Sequence, residues 1–213
     1  MSLSVDFSNV TKTITRKKTR INVLCKSTFS FSPGEVSVLL GRNGSGKTTI
    51  LRLICGLSKP DSGKIKVGNY DTIQDFRRVC GLLIEGTRGF YPRLTVRENI
   101  TYFSSIRNNG ISRNIDEHIK KCGLKEYSNV LGLDLSRGYQ QRLSLALATV
   151  HLPRILLLDE PSLALDESGI DIVKMILDEG LNNNLTTIIT TNDLNFAKSI
   201  SSNTLYVNEI NGL

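Results

Sequence analysis

The sequence predicts an α/β fold: a mostly parallel sheet, an N-terminal antiparallel β portion and an inserted helical subdomain. Three observations support this prediction. Short apolar runs alternate with segments of helical apolar spacing, two strand-like segments flank a basic turn near the N-terminus, and the apolar residues between 85 and 135 recur at helical spacing. With 213 residues, we expect one domain, 1–213, with a core of 1–85 and 136–213 and a helical subdomain of about 86–135.

Local patterns place the individual elements. The predicted strands cover 4–14, 21–31, 36–40, 64–68, 79–84, 155–158, 186–191 and 204–207. The predicted helices cover 50–57, 96–106, 115–124, 138–149, 167–181 and 194–200. Strands that alternate with helices indicate a parallel sheet covered on both faces, and such sheets bind ligands at the carboxyl ends of their strands.

Composition and charge narrow the range of functions. The longest apolar runs, such as 155–158, are far too short to span a bilayer, and the N-terminus has no secretory signal pattern, so we expect a cytosolic protein. None of the four cysteines forms a C-x-x-C pair, which favours reduced structural thiols over a metal site. The net charge of +7 fits a nucleotide binder that also faces nucleic acid or an anionic membrane surface, and it does not choose between them.

A glycine-rich loop lies between a predicted strand and a predicted helix. It reads G-x-x-x-x-G-K-T, the Walker A phosphate loop of a P-loop NTPase core. Its glycines allow the backbone N–H groups to face a phosphate chain, and the helix that follows directs its positive end at the same anion. Lys47 can reach the β- and γ-phosphates, and Thr48 can ligate Mg²⁺. The predicted ATP-binding residues of this loop are Gly41, Arg42, Asn43, Gly44, Ser45, Gly46, Lys47, Thr48 and Thr49.

Two acidic residues follow the apolar run 155–158, which is a Walker B pattern. Because side chains alternate along a strand, adjacent acids point in different directions and can perform different tasks. We expect Asp159 to contribute to the Mg²⁺ shell and Glu160 to polarise an attacking water.

With the segment 135–142, the resemblance becomes specific. Residues 135–139 (L-S-R-G-Y) resemble the signature motif of the ATP-binding cassette (ABC) transporters, usually L-S-G-G-Q, and residues 161–166 (P-S-L-A-L-D) resemble their D-loop. The resemblance covers essentially the whole chain and implies a head-to-tail dimer. In that arrangement Ser136 and Gly138 would contact the γ-phosphate of the partner's nucleotide, and Asp166 would belong to the nucleotide site.

A narrower resemblance indicates the direction of transport. Residues 81–86 and 90–99 are similar to the exporter branch that includes bacitracin and lantibiotic self-protection transporters. That branch often carries Glu at the Q-loop position, and Glu85 takes this place, so the resemblance implies a catalytic and metal-binding role for it. The implied protein is an ATPase that uses ATP and Mg²⁺, pairs with a second cassette, and serves a separate transmembrane permease from the cytoplasmic face of the membrane.

Three departures from the family pattern bear on the rate of hydrolysis. Arg137 and Tyr139 replace the usual Gly and Gln of the signature, and Asn192 stands where a switch histidine is expected as a catalytic residue. No obvious aromatic residue near the end of the first strand can stack on adenine; Ile14 or its basic neighbours occupy the region. An amide can hydrogen-bond a phosphate oxygen or water but cannot carry a proton charge as His can. ATP binding with slow hydrolysis is therefore expected, in a homodimer, which we favour, or in a heterodimer.

Two other functions remain as alternatives. One is a soluble ABC ATPase that acts on nucleic acid or ribosomes, which the basic charge mildly favours. Such proteins usually join two cassettes or carry long coiled-coil insertions, and this sequence has neither, so we expect no direct contact with nucleic acid. The other is a largely inactive regulatory cassette.

Overall fold

The structure, a computed structural model, describes residues 3–16, 19–70, 73–84, 89–107, 114–201 and 203–210. The strands are β1 (Val5–Arg16), β2 (Thr19–Phe31), β3 (Val36–Leu40), β4 (Ser62–Val67), β5 (Cys80–Leu83), β6 (Ile155–Asp159), β7 (Thr186–Thr191) and β8 (Asn203–Tyr206). The helices are α1 (Lys47–Ile54), α2 (Ile73–Val79), α3 (Val96–Arg107), α4 (Ile115–Lys121), α5 (Arg137–Thr149), α6 (Glu167–Asn182), α7 (Leu194–Ile200) and α8 (Val207–Ile210).

Two sheets form the framework, as predicted. A five-stranded sheet has the order β5-β6-β7-β3-β8 with parallel pairing throughout, and a three-stranded sheet has the order β2-β1-β4 with antiparallel pairing. The strands β3, β6 and β7 are buried along their whole length, as expected for a parallel sheet that is covered on both faces. The carboxyl ends of these three strands therefore meet at one edge, which is where the Walker A and Walker B residues lie.

The two faces of the parallel sheet have separate apolar cores. On one face α1 packs between the parallel sheet and the antiparallel sheet, and the rings of Phe7 and Phe29 stack there with centroids 4.3 Å apart. On the other face α5, α6 and α7 cover the sheet, α3 packs on α5 and α4, and all five helices contribute to one apolar core. The parallel sheet is thus packed on both faces, which keeps the site residues at its edge in fixed positions.

The element boundaries differ from the prediction at several places. Helix α1 begins at Lys47, because the glycine loop itself starts the helix before the apolar spacing begins. The helix predicted for 115–124 ends at Lys121, since Gly123 adopts a φ of 66°. Two short helices, α2 and α8, were not predicted. The helices α3 and α4 lie between β5 and α5, and the assignment of about 86–135 as a distinct subdomain stays a prediction.

Among the described residues, no helix combines the length and the apolar character that crossing a bilayer requires.

A close contact between β5 and α5 generates a stability prediction. A Cβ atom at Gly81 would lie 2.2 Å from the carbonyl oxygen of Ala148 and 2.8 Å from Leu156 Cδ1. Because backbone cannot move aside easily, we expect Gly81→Ala to lower the free energy of unfolding by about 1–3 kcal/mol, measured by urea denaturation. Gly89→Ala is the matched control, since among the described residues other than its chain neighbours no heavy atom lies within 4 Å of its added Cβ. Equal stability of the two variants would contradict this account of the β5–α5 contact.

Candidate functional site

The Walker A loop connects the end of β3 to the start of α1 and depends on its glycines. Gly46 caps the helix with φ 105° and ψ 3°, a left-handed conformation. A side chain there would be strained and would also place a Cβ 2.3 Å from Val23 Cγ1. The loop therefore keeps its tight curve only with glycine at this position, and the N-terminus of α1 opens directly into the loop.

Lys47 is held inside the loop. Its side chain is 6% exposed, and its Nζ donates to the carbonyl oxygens of Gly41 at 2.8 Å and Arg42 at 3.3 Å. The same Nζ lies 3.2 Å from Glu160 Oε1 at ion-pair distance, although this contact does not have hydrogen-bond geometry. The buried amine thus connects the phosphate loop to the Walker B segment.

Asp159, at the end of β6, is 1% exposed and accepts two hydroxyl hydrogen bonds. Thr48 Oγ1 donates to its Oδ2 at 2.7 Å, and the Thr190 hydroxyl donates to its Oδ1. The contact with Thr48 brings together two of the three residues that the sequence predicts for Mg²⁺; the third, Glu85, lies outside the described residues. The position of Thr190 was not predicted, because it depends on the pairing of β6 with β7, which places Thr190 beside Asp159.

Glu160 and Asn192 lie side by side after their strands. Glu160 has a φ of 48°, and its Oε2 accepts from the backbone N–H of Asn192 at 3.3 Å. The Asn192 side-chain Nδ2 donates to Asn43 Oδ1 at 2.9 Å. Asn192 therefore connects the phosphate loop to Glu160, the carboxylate predicted to polarise a water. The left-handed backbone of Glu160, a residue other than glycine, is typical of functional sites.

The residues present fit Mg²⁺ and a phosphate chain. Ser45 Oγ is buried in the loop and has no hydrogen-bond partner among the described residues, so a phosphate oxygen could accept from it. No cluster of three His, Cys, Asp or Glu side chains occurs in the described part of the chain. Mg²⁺ in phosphoryl-transfer sites is commonly held by one or two protein oxygens together with substrate phosphates and water, and the pair Thr48–Asp159 meets that requirement.

The signature segment begins α5. Ser136 caps this helix, and its hydroxyl accepts from the backbone N–H of Tyr139 at 3.4 Å. Gly138 approaches the D-loop so closely that a Cβ atom would lie 2.9 Å from the Ala164 carbonyl oxygen. One turn further, Gln141 Nε2 donates to the carbonyl oxygens of Glu160 at 3.2 Å and Pro161 at 3.3 Å. The signature helix therefore holds the backbone that follows the Walker B acids.

Arg142 connects the same helix to the start of α6. It is buried, and its Nη2 donates to Asp166 Oδ1 at 2.5 Å and to Ser168 Oγ at 2.6 Å. Its guanidinium carbon lies 5.0 Å from the centroid of the Tyr139 ring, which packs on Tyr127 with centroids 3.9 Å apart. Arg142 and Gln141 were not predicted as site residues, although both lie in the segment that carries the signature resemblance.

Comparisons with known proteins identify the family. The family model described as "ABC transporter" matches residues 24–163. The chain belongs to the ABC transporter family. It is 32% identical over 169 residues to the ABC transporter ATP-binding protein NatA of Bacillus subtilis, and this match covers 76% of this chain and 69% of NatA. It is 37% identical over 147 residues to the bacitracin transport ATP-binding protein BcrA of Bacillus licheniformis; this match covers 68% of the chain and about half, 48%, of BcrA.

A solved structure resembles this ABC protein over nearly its full length. The dimeric post-hydrolysis structure of the ATP-binding cassette MJ0796 bound to ADP and Pi superposes with a TM-score of 0.84 at 28% identity. The superposition covers 95% of this chain and 93% of that one. The predicted fold and family are confirmed: the protein is an ABC ATP-binding cassette with a P-loop NTPase fold.

The structure of this ABC cassette brings some predicted site residues together and leaves others apart. Asn43, Lys47, Thr48, Asp159, Glu160 and Asn192 form one connected cluster. Ser136 and Gly138 lie at the N-terminus of α5, and Asp166 accepts hydrogen bonds from Gly169 and Arg142 of its own chain. Glu85 lies outside the described residues. The catalytic, nucleotide and metal roles of all these residues stay predictions.

Asp166 has a lowered carboxyl pKa with local causes. The Gly169 backbone N–H donates to its Oδ1 at 2.9 Å, and the Arg142 guanidinium donates to the same oxygen; both hold the pKa of Asp166 below its ordinary value of 3.8. Asp166 thus caps α6 as an anion at neutral pH.

The contact between Arg142 and Asp166 generates a testable prediction. We expect Arg142→Met to lower the free energy of unfolding, because the hydrogen bonds of the buried guanidinium to Asp166 and Ser168 are lost. Since the native pKa of Asp166 lies below 3.8, the wild-type advantage should persist from pH 7 down to about that pH and shrink below it, as Asp166 becomes protonated. Urea denaturation across this pH range measures both effects. Arg137→Met, at an exposed position on the same helix, is the control; a pH-independent difference would contradict the role of Asp166.

Proposed function

We propose that this ABC cassette binds Mg-ATP between two copies arranged head to tail and hydrolyses it to drive a separate membrane permease. The observation that carries the proposal is the contact of Thr48 with Asp159, with Lys47 and Glu160 adjacent to it. These are the parts that phosphoryl transfer requires in P-loop proteins, and they are assembled within one chain of the ABC family.

The proposed chemistry assigns a task to each residue. Thr48 and Asp159 would hold Mg²⁺, and the ion would supply neutralisation of the phosphate charge. Lys47 moves from the carbonyl oxygens of Gly41 and Arg42 towards the phosphates, and this movement relaxes its ion pair with Glu160. Nucleotide binding thereby releases the Glu160 carboxylate, which orients a water and accepts its proton.

Dimerisation completes the site in this proposal. Ser136 and the N-terminus of the 13-residue helix α5 supply hydrogen-bond donors and a positive dipole end that suit a γ-phosphate. The ATP-binding cassette MJ0796 is dimeric in its structure with ADP and Pi, and we propose the same assembly for this chain. A homodimer is favoured over a heterodimer because Lys47, Glu160 and Ser136 are all present.

The direction of transport and the membrane partner are inferred from relatives and from one surface. BcrA is named a bacitracin transport protein, which supports an exporter that acts at the cytoplasmic face of a membrane. Tyr91 and Tyr102 are exposed, and their rings meet edge to face with centroids 5.2 Å apart. Ile106, also exposed, follows Tyr102 by about one turn of α3 and so lies on the same helix face. We call these three residues the aromatic patch. An exposed apolar surface of this kind is typical of a contact with another protein, and we assign it to the permease.

The first test separates ATP binding from hydrolysis. Glu160→Gln should lower the hydrolysis rate by about 10²–10⁴-fold, the usual contribution of a general base, while ATP stays bound. Bound ATP should then shift the variant towards the dimer, which size-exclusion chromatography with light scattering measures with and without Mg-ATP. Lys47→Ala is the control that should neither bind nor dimerise. Wild-type hydrolysis by Glu160→Gln would exclude Glu160 as the base.

The second test concerns Asn192 and the identity of the partner. In a homodimer both sites carry Asn192, so Asn192→His should raise hydrolysis, because an imidazole can hold the γ-phosphate and share developing charge. A gain of about tenfold corresponds to roughly 1.4 kcal/mol of transition-state stabilisation. Steady-state ATPase assays over a protein concentration series measure it. Low, concentration-independent rates in both proteins would contradict a functional homodimer.

The third test concerns the membrane partner. Ile106 and Leu57 are equally exposed apolar residues, at 55% and 56%, but only Ile106 belongs to the aromatic patch. We expect tagged wild type and Leu57→Ser to recover a protein with several apolar spans of about 20 residues from detergent-solubilised membranes. Ile106→Ser should recover several-fold less of it. Equal recovery by both variants would place the permease contact elsewhere.

A further inference from the structure

Arg137, which departs from the signature pattern, is an exposed cation at the start of α5. It forms no salt bridge within the part of the chain that the structure describes, whereas Arg142 on the same helix is held by Asp166 and Ser168. The guanidinium of Arg137 is therefore available to a group outside its own chain.

A cation at this position is unfavourable for the helix itself. The N-terminus of a helix carries a partial positive charge, so acids stabilise the first turn and cations the last. The 13-residue helix α5 has Ser136 as its N-cap, Arg137 as its first residue and no acid in its first turn. A residue that weakens its own helix without a compensating contact indicates a role outside the monomer.

Helix α1, which follows the phosphate loop, begins in the same way. Lys47 is its first residue, and its first turn also lacks an acid. By contrast, α3, α4, α6 and α8 each have an acid in the first turn, and α7 has Asp193 as its N-cap. In α1 the uncompensated cation belongs to the proposed phosphate site, which suggests the same kind of ligand for Arg137.

The connected cluster at the phosphate loop is short of positive charge. Its one cationic side chain, Lys47, lies 3.2 Å from the carboxylate of Glu160, and the cluster also contains Asp159. Asn192, which stands where a histidine is expected, cannot become charged. Two buried oxygens there, Ser45 Oγ and Glu160 Oε1, have no hydrogen-bond partner among the described residues, which indicates that a ligand completes the site. A bound triphosphate would therefore favour a further cation from outside the chain.

Head-to-tail pairing would bring Arg137 to this site. In the proposed dimer Ser136 contacts the γ-phosphate of the partner's nucleotide, and Arg137 is the next residue. Gly138 packs so closely on the D-loop that a Cβ atom would lie 2.9 Å from the Ala164 carbonyl oxygen, so this turn of the chain is held in place. A guanidinium there suits phosphate oxygens, because its planar donors can form two parallel hydrogen bonds.

We propose that Arg137 is a catalytic residue that acts across the dimer, where its guanidinium binds the γ-phosphate oxygens of the partner's nucleotide in the transition state. Water forms a bond to the γ-phosphorus while the bond to the bridging oxygen of ADP breaks. Glu160 of that site accepts the proton of the water, and ADP and inorganic phosphate leave. Arg137 transfers no proton, because a guanidinium stays protonated, and it supplies the positive charge that Asn192 lacks. This role rests on the proposed function, since it requires two copies and bound ATP.

Steady-state ATPase assays of the full chain over a protein concentration series test the role of Arg137. Arg137→Met should lower kcat by about tenfold or more with little change in KM, because the charge is needed mainly in the transition state. Arg137→Lys keeps the charge and should recover part of the loss. Lys125→Met, at an exposed lysine outside the signature segment, removes the same charge and should keep the wild-type kcat. The melting temperature of Arg137→Met should equal or exceed that of wild type, so unfolding cannot explain the loss.

Mixing two variants shows whether Arg137 acts across the dimer. Arg137→Met lacks the guanidinium, and Glu160→Gln lacks the proposed base. In a mixed dimer, one site combines Glu160 of the first copy with Arg137 of the second and is therefore complete. We expect the mixture to hydrolyse ATP several-fold faster than the sum of the two separate samples. An equal mixture of wild type and Glu160→Gln is the reference for a dimer with one complete site.

The possible results separate this role from the proposed function. A wild type with concentration-dependent activity and an equally active Arg137→Met would contradict the role of Arg137 alone. Equal losses in Arg137→Met and Lys125→Met would attribute the effect to net charge and exclude a catalytic guanidinium. A mixture that is no faster than the sum of its components would exclude action across the dimer. If wild type hydrolyses no ATP at any concentration, the proposed function fails, and the role of Arg137 fails with it.

Discussion

The buried carboxylate of Asp159 links the elements that meet at the carboxyl edge of the parallel sheet, where the proposed nucleotide site lies. Asp159 is almost completely excluded from solvent, and its two oxygens accept hydroxyl hydrogen bonds from Thr48 of α1 and Thr190 of β7. A buried anion is tolerated only where such partners compensate its lost hydration. The same interactions therefore stabilise the charge and set the position of the phosphate-loop helix relative to two strands. The other site residues take their places from this arrangement.

The helix that follows the signature segment, α5, connects the end of β6 to the D-loop. Gln141 holds the backbone of Glu160, and the next residue, Arg142, holds Asp166 at the start of α6. One helix thus contacts the segment after the proposed base, anchors the D-loop and presents Ser136 at its own N-terminus. In the proposed dimer, a displacement of α5 would reach Glu160, the proposed base of its own chain, and the nucleotide of the partner together.

Local patterns predicted most of the fold but not the contacts between its parts. The alternating strands and helices, the phosphate loop and the acidic pair each occupy a continuous segment of the sequence, so their presence and order could be predicted. The helices 73–79 and 207–210 were missed because segments this short carry too little periodicity. The contacts of Asp159 with Thr190 and of Arg142 with Asp166 join distant segments. Only strand register and helix packing determine such contacts, and no spacing in the sequence encodes them.

Tyr139 shows how a departure from a family motif can be accommodated. Its ring packs on Tyr127 and lies near the guanidinium of Arg142, so it serves packing within the chain. Its backbone N–H still donates to Ser136, and the first N–H groups of α5 do not depend on side-chain identity. The anion-binding capacity of the helix N-terminus is therefore retained. At Asn192, by contrast, the replaced group is the side chain itself, and an amide cannot take up a proton. The slow hydrolysis proposed for this chain is thus better explained by Asn192 than by the altered signature.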